Sequence, residues 1–162
     1  MTDLVHVFRY RVDFHRTTLD DATSGAAEPL CRGRFSEVSG IEATMEPLAI
    51  TEGGRNWGQV QRAGPTTFAT LILKRGMTDD RALWTWFHGV AAGAFAYRLN
   101  ARVVVLSPGA APDDGGVLRF EFANCLPVRF KAADLSATSS EIGIEELHLQ
   151  HEGLTLLGAD QP

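Results

Sequence analysis

A chain of 162 residues has the length of one domain, enough to bury roughly two-thirds of the surface its unfolded form exposes. Its hydrophobic fraction of 44%, charged fraction of 22% and net charge of -5 suit a globular protein. They give no reason to expect a nucleic-acid backbone or an anionic membrane as partner. No run approaches the roughly 20 apolar residues of a membrane span. Met1 to His6 carries Asp3 and no basic leader followed by an apolar core, so folding in a cytoplasm is expected. Cys31 and Cys125 lack metal-type spacing and are too few for a disulfide framework, which predicts two reduced thiols.

Taken in chain order, Leu4 to Phe14 alternates, with Phe8, Tyr10, Val12 and Phe14 on one face and Arg9, Arg11 and Asp13 on the other. That is the pattern of a half-buried strand. His15 to Gly33 turns to Thr, Asp, Ala, Ser, Gly and Pro without periodicity, predicting a long surface loop over 15–33. From Phe35 to about Ile50 a second strand is expected. Phe35, Ile41, Ala43 and Met45 would form its dry face, and Glu42, Thr44 and Glu46 its wet one. The glycines and proline of Glu52-Gly53-Gly54-Arg55-Asn56-Trp57-Gly58 and Ala63-Gly64-Pro65 predict an irregular arm over 51–66. Thr67 to Lys74 reads as another strand.

One helix is expected from Thr78 or Asp79, either of them a suitable N-cap. Leu83, Trp86, Phe87, Val90, Ala91 and Ala94 form its apolar stripe. Arg98 to Leu106 alternates again, and Val103-Val104-Val105 suggests burial on both faces. A hairpin-type turn follows from Pro108-Gly109 to Gly115-Gly116. In the return strand Leu118, Phe120, Phe122, Leu126, Val128 and Phe130 share one parity, interrupted by Asn124. Pro127 implies an edge or a bulge. In the last strand Ile142 and Ile144 are out of phase with Leu147 and Leu149. Either a bulge sits near Glu145-Glu146 or both faces are partly covered. The sum is a mainly β fold, a small antiparallel β-barrel or sandwich with one packed α-helix. It forms a single domain over 1–162, with no internal repeat or linker.

The chemistry-bearing residues do not assemble into a reactive site. Ser36, Ser39 and Ser107 lack a nucleophile elbow. His148 and His151 point to opposite faces of a strand and cannot chelate together, so surface or interface histidines are expected there. Glu42 with Glu46, or Glu145 with Glu146, reads as a solvated strand face rather than an acid/base pair. The glycines at Gly53-Gly54-Arg55 do not stand between a strand and a helix, so they cradle no phosphate. No catalytic residue, cofactor or metal is expected, and the chain does not read as an enzyme. Trp57 is different. A tryptophan amid Gly, Asn and Gln in an irregular arm cannot easily bury itself locally, which suits an interface anchor.

Three blocks carry a resemblance. The first is Phe35-Ser36-Glu37-Val38-Ser39-Gly40-Ile41-Glu42, continuing to Glu52-Gly53-Gly54. The second is Leu73-Lys74-Arg75-Gly76-Met77-Thr78-Asp79-Asp80 with Trp84 to Phe87. The third is Asn124-Cys125-Leu126-Pro127-Val128 through Leu135 and on to Glu145 to Leu154. In this order they resemble the inner tail-tube proteins of contractile phages and of extracellular contractile injection systems.

The resemblance implies a structural subunit that forms stacked homo-hexameric rings inside a sheath, on a baseplate, around a hydrated lumen for cargo. No nucleic acid or membrane anchor is required. Assembly would take place in the cytoplasm, and the particle would be released from there. Ile41 to Thr67 would reach the neighbouring ring through Gly53, Gly54, Arg55, Asn56 and Trp57. Glu42, Thr44 and Glu46 would face the lumen. The long 15–33 stretch and the run Arg55 to Arg62 depart from the commonest tube subunits, leaving open the bulk tube or a baseplate-proximal initiator ring. The alternatives are a monomeric small-ligand-binding barrel and a hexameric tube protein of the type VI secretion kind.

Overall fold

A computed structural model describes residues 5–16, 35–94, 97–111 and 116–158, together with the backbone of 27–28. Its strands are β1 (Tyr10–Arg16), β2 (Ala27–Glu28), β3 (Glu37–Ser39), β4 (Ala43–Met45), β5 (Leu48–Ile50), β6 (Val60–Arg62), β7 (Thr66–Phe68), β8 (Leu71–Gly76), β9 (Leu99–Val105), β10 (Leu118–Lys131), β11 (Ile144–Gln150) and β12 (Gly153–Gly158). The helix α1 (Ala82–Ala91) lies between β8 and β9. The expected mainly β architecture is observed, and every strand pair is antiparallel.

The body is one sheet in the order β2-β1-β9-β10-β11-β8-β3, with β12 also beside β10. Its organising element is β10. The first half of β10, Leu118 to Phe122, lies between β9 and β12, while Leu126 to Lys131 pairs with β11. Between the halves the register against β9 shifts after Phe122, and Asn124 adopts a positive φ of 51°. Asn124 is held there by its N–H donating to Asn100 Oδ1 (2.9 Å) and its Nδ2 donating to Glu152 Oε2 (2.9 Å). A bulge bends a strand and flips its pleat.

Phe122 and Cys125, three apart, are accordingly both fully buried. This corrects the single-parity expectation for β10. Cys125 joins the core, and Val128 is exposed. The break expected at Pro127 is found as a second register shift against β11, and β10 is interior to the sheet, not an edge. Burial pushes the Cys125 thiol up to about 12, consistent with a reduced, unreactive cysteine. Cys31 lies outside the described residues.

The bent sheet closes around Phe14, Leu71, Leu73, Leu99, Phe122, Leu147 and Leu149, with Leu83, Trp86 and Val90 of α1 completing the core. Each such side chain contributes roughly 1.5–3 kcal/mol by leaving water. Trp86 meets Phe14 edge to face at 5.7 Å, so the helix stripe reads into the first strand. The stripe is narrower than expected, because Ala91 and Ala94 are exposed. The helix also starts later than Thr78 or Asp79. Asp80 Oδ1 accepts from the Ala82 N–H at 3.0 Å, while Thr78 caps only the turn before it.

Asp80 has a second partner, which fixes the helix to the sheet. Arg75 of β8 is 1% exposed, lies directly opposite Glu145 of β11 and donates to its carboxylate. Arg75 also donates to the Asp80 carbonyl at 3.0 Å and lies 3.5 Å from its carboxylate. The solvated face expected at Glu145-Glu146 therefore holds only for Glu146.

No bulge exists at that point. The β11–β8 register runs unbroken from Ile144–Gly76 to Leu149–Leu71. Glu145, Leu147 and Leu149 point inward, and the out-of-phase Ile142 and Ile144 are left exposed. The 15–33 loop expectation is corrected at four residues. His15 and Arg16 extend β1, and Ala27–Glu28 pairs with it. Residues 17–26 and 29–34 lie outside the described part. The Asp113 to Gly115 turn also lies outside.

Candidate inter-subunit surface

The arm is built as a prolongation of the body sheet. Strands β3 and β8 pair from Glu37–Lys74 to Ser39–Ile72. Strands β4 and β7 then continue from Ala43–Phe68 to Met45–Thr66 without gaining or losing a residue on either side. Between the two ladders Gly40 takes φ +84°, and a Cβ there would lie 1.9 Å from the Thr70 carbonyl oxygen. Only glycine fits this crossing.

The pleat changes phase at the crossing. Val38 and Ile41, three apart, both pack against the core, and so does Leu71. Three residues before Leu71, Phe68 packs its ring on the buried His151 at 5.1 Å. Beyond the crossing, Ala43 and Phe68 therefore share the inner side. Glu42, Thr44, Glu46 and Thr67 then continue the outer face of the sheet, which carries Glu37, Lys74, Glu146 and Lys131 as cross-strand neighbours. Alternating charge marks this row, and Lys74 Nζ lies 3.1 Å from Glu37 Oε1. Glu146 accepts from His148 Nε2 at 3.2 Å, which holds its carboxyl below the ordinary value of 4.5, with Lys131 and Lys74 adding to the effect. His148 thus sits on the polar face, whereas His151, expected at the surface or an interface, is packed between Phe68 and Phe122.

Farther out, Gly64 marks a second close approach, where a Cβ would meet the Glu46 carbonyl oxygen at 1.9 Å. The return strand carries one extra residue there, and β5 and β6 pair from Leu48–Arg62 to Ile50–Val60. The expectation of an irregular arm over 51–66 is corrected to this extent, because Val60–Arg62 and Thr66 are ladder residues. Irregular backbone is confined to the tip and the Gly64 joint. The tip is held by Arg55 N–H donating to the Glu52 carbonyl (3.2 Å) and Arg55 Nε donating to the Trp57 carbonyl (3.4 Å).

The dry face expected for Phe35, Ile41, Ala43 and Met45 holds at Phe35 and Ile41, which join or pack against the core, and fails farther out within one chain. Ala43, Met45, Leu48 and Ile50 are all exposed, and Trp57 at the tip is 91% exposed. Gly53, Gly54, Arg55 and Asn56 are exposed around it. Ten extended residues from Ile41 to Ile50 span roughly 30 Å, so the tip stands far from any core of its own.

The sequence did not single out a second exposed apolar surface. The segment from Ala132 to Gly143, between β10 and β11, folds over Met77, whose N–H donates to the Gly143 carbonyl at 2.8 Å. Met77, Leu135, Ile142 and Ile144 line a groove of about 440 Å³ there. The phase break at Ile142 and Ile144 was its only trace in the sequence. Among the described residues no group of three or more His, Cys, Asp and Glu could hold a metal. No helix among them is long and apolar enough to cross a membrane.

The same fold occurs in known assemblies. A chain in the 6-fold symmetrised baseplate of the anti-feeding prophage aligns over 99% of this chain and 100% of its own, with 24% identity and a TM-score of 0.73. A chain from the sheath-tube complex of the PVC extracellular contractile injection system, in its extended state, aligns over 96% and 92%, with 16% identity and a TM-score of 0.71. A chain from the tube-terminating cap of the anti-feeding prophage aligns over 98% and 93%, with 16% identity and a TM-score of 0.73. No curated protein matches the sequence.

A bent antiparallel body with a free-standing hairpin is thus the tail-tube fold. The family described as T4-like virus tail tube protein gp19 matches residues 6–155. The chain belongs to that family.

Proposed function

We propose that this protein is an inner-tube subunit of a contractile injection system or phage tail. Six copies would close a ring, and rings would stack into a tube with a hydrated bore for cargo. The observation that carries this reading is the arm. Its ladder is fully formed, yet Met45, Leu48, Ile50 and Trp57 have no core of their own to enter. A stable monomer rarely exposes apolar residues in such a cluster. Among the described residues β3 and β12 each have one edge without a strand beside it, the other requirement, backbone that a neighbouring copy could complete.

The role is mechanical and involves no reaction. Sheath contraction would push the tube along its axis, and cross-subunit ladders with buried aromatic anchors would hold the rings together. Glu42, Thr44 and Glu46, with the alternating charges of the adjoining sheet face, would line the bore as a hydrated surface to which cargo adheres poorly. The initiator ring on the baseplate is the preferred position. Identity to the baseplate chain is 24%, over essentially the full length of both chains, against 16% for the chain of the sheath-tube complex. Sheath and baseplate proteins would be the partners, with assembly in the cytoplasm before release.

Negative-stain microscopy of the purified protein, alone and with its sheath and baseplate partners, tests this directly. Rings or tubes are expected, and a thiol introduced by Thr44→Cys should resist a bulky maleimide in intact tubes. Monodisperse monomers under every condition would instead favour the ligand-binding barrel.

A further inference from the structure

We infer that the groove under the Ala132–Gly143 segment is the socket that receives Trp57 of a second copy of this chain. The inference rests on the tube reading and names the contact that would join its rings.

Topology supplies the first reason. The arm leaves the sheet where Leu149 pairs with Leu71, and the groove lies where Ile144 pairs with Gly76. These are opposite ends of β8 and β11, so a copy displaced along the strands brings its groove toward the arm tip of the one behind it. Such a contact uses two different surfaces of one chain. It therefore propagates as an open stack and does not close as a pair.

Chemistry supplies the second. Within its mixed lining the groove holds apolar residues that stand open to a partner, with Leu135 at 89% and Ile142 at 79% exposure. Its volume of about 440 Å³ falls within the range of pockets that bury small aromatic groups. Around it stand Asp134, Glu141 and Glu146, against the single cation Lys131. The arm brings Arg55 beside Trp57, in an exposed 3.6 Å contact with Glu52 that can be exchanged at little cost. An aromatic anchor flanked by a guanidinium thus meets an apolar slot flanked by carboxylates, the pairing expected of an interface centre. The segment closing the groove is braced by itself. Glu141 N–H donates to Ser139 Oγ (3.2 Å), and Thr138 N–H donates to Ser136 Oγ (3.4 Å). The slot consequently exists before a partner arrives.

The test uses assembled particles. Full-length chains carrying Trp57→Cys and Ile142→Cys are co-assembled as a minority with unsubstituted chain, so that assembly does not depend on them, and then mildly oxidised. A disulfide-linked dimer is expected from particles containing both variants and absent from particles containing either alone. Pairing Trp57→Cys with Leu156→Cys, an exposed position on β12, should give none. Particles that contain both variants but yield no mixed dimer overturn the socket and leave the tube reading standing. Failure of the unsubstituted protein to form rings or tubes under any condition overturns both. As a second measurement, Ile142→Asp should keep the monomer's melting temperature and lose ring stacking. Normal stacking would count against the socket.

Discussion

The body and the arm are made from the same ladder, yet the body buries its apolar side chains within the chain and the arm leaves its own exposed. In the body, β8 contributes Leu71, Leu73 and Arg75 to the interior, and Leu83, Trp86 and Val90 of α1 share the core with the two leucines. In the arm, β4 and β5 extend that ladder outward, and every residue from Glu42 to Ile50 is exposed. Both regions carry antiparallel backbone ladders. What separates them is apolar burial, the term that normally stabilises a hairpin beyond two isolated strands. Under the tube proposal, the arm's burial would be supplied by another molecule. Substitutions in the two regions should accordingly register in different measurements.

The largest effect is expected in the body. Arg75→Met leaves Glu145 buried without its cation and should cost about 3–5 kcal/mol in urea unfolding. Adding Glu145→Leu removes the stranded charge and should recover most of that loss, because a well-packed apolar pair can replace a buried ion pair. If the double variant proves as unstable as the single one, the pair contributes through geometry that an apolar pair cannot supply, such as the tie to Asp80.

Trp57→Ala should do the reverse. The unfolding midpoint of the monomer is expected to stay within about 0.5 kcal/mol of the parent. Tube formation should weaken by about 2 kcal/mol or more per contact, read as a roughly thirtyfold rise in the concentration needed for assembly. A loss of monomer stability on the same scale would mean that the indole packs on its own chain in solution, and the contrast between body and arm would disappear.

How far the sequence revealed this division depends on the residue. Alternation placed Phe14 on the buried face of its strand, and three-residue spacing placed Leu83, Trp86 and Val90 on the buried helix face. Those positions obey local periodicity, and the fold respects it. Asn124 was visible only as an interruption. Its positive φ, and the phase flip that buries Cys125, follow from Asn100 and Glu152, which are distant in sequence. Glu145 looked solvated because nothing near it in the chain announces Arg75, whose register is fixed by pairing between β8 and β11. The exposure of Trp57 was legible because a tryptophan among glycines has no local shelter. Ala43 and Met45, expected on a dry face, are exposed, since alternation reports which residues share a face and not what covers it.

Gly40 is where the two regions can be uncoupled. Gly40→Ala places a methyl group against the Thr70 carbonyl and forces a positive φ on a residue that resists it, a strain of about 1–3 kcal/mol. The damage should be local. The Ala69 N–H, which donates to the Glu42 carbonyl at 3.1 Å, should lose hydrogen-exchange protection, while the amides of β11 keep theirs. Gly53→Ala, with open space around it, should change stability by no more than about 0.5 kcal/mol. Uniform loss of protection would show that arm and body unfold as one unit.

The smallest expected effect is in the polar face that joins the two regions. Glu146 accepts a hydrogen bond from His148 and lies between Lys131 and Lys74, so its carboxyl is held below its ordinary value of 4.5. A carboxylate with a depressed folded-state value binds fewer protons in the folded than in the unfolded chain. Its stabilising contribution is thus complete above that ordinary value and is lost as the pH falls through the lower, folded one. Glu146→Gln should therefore melt below the parent at pH 7, and the two should converge in the acid range below the ordinary carboxylate value. A gap that persists unchanged at acid pH would trace the effect to packing. In that case the alternating charges of Glu37, Lys74, Glu146 and Lys131 would serve the hydration of the wall and not its cohesion.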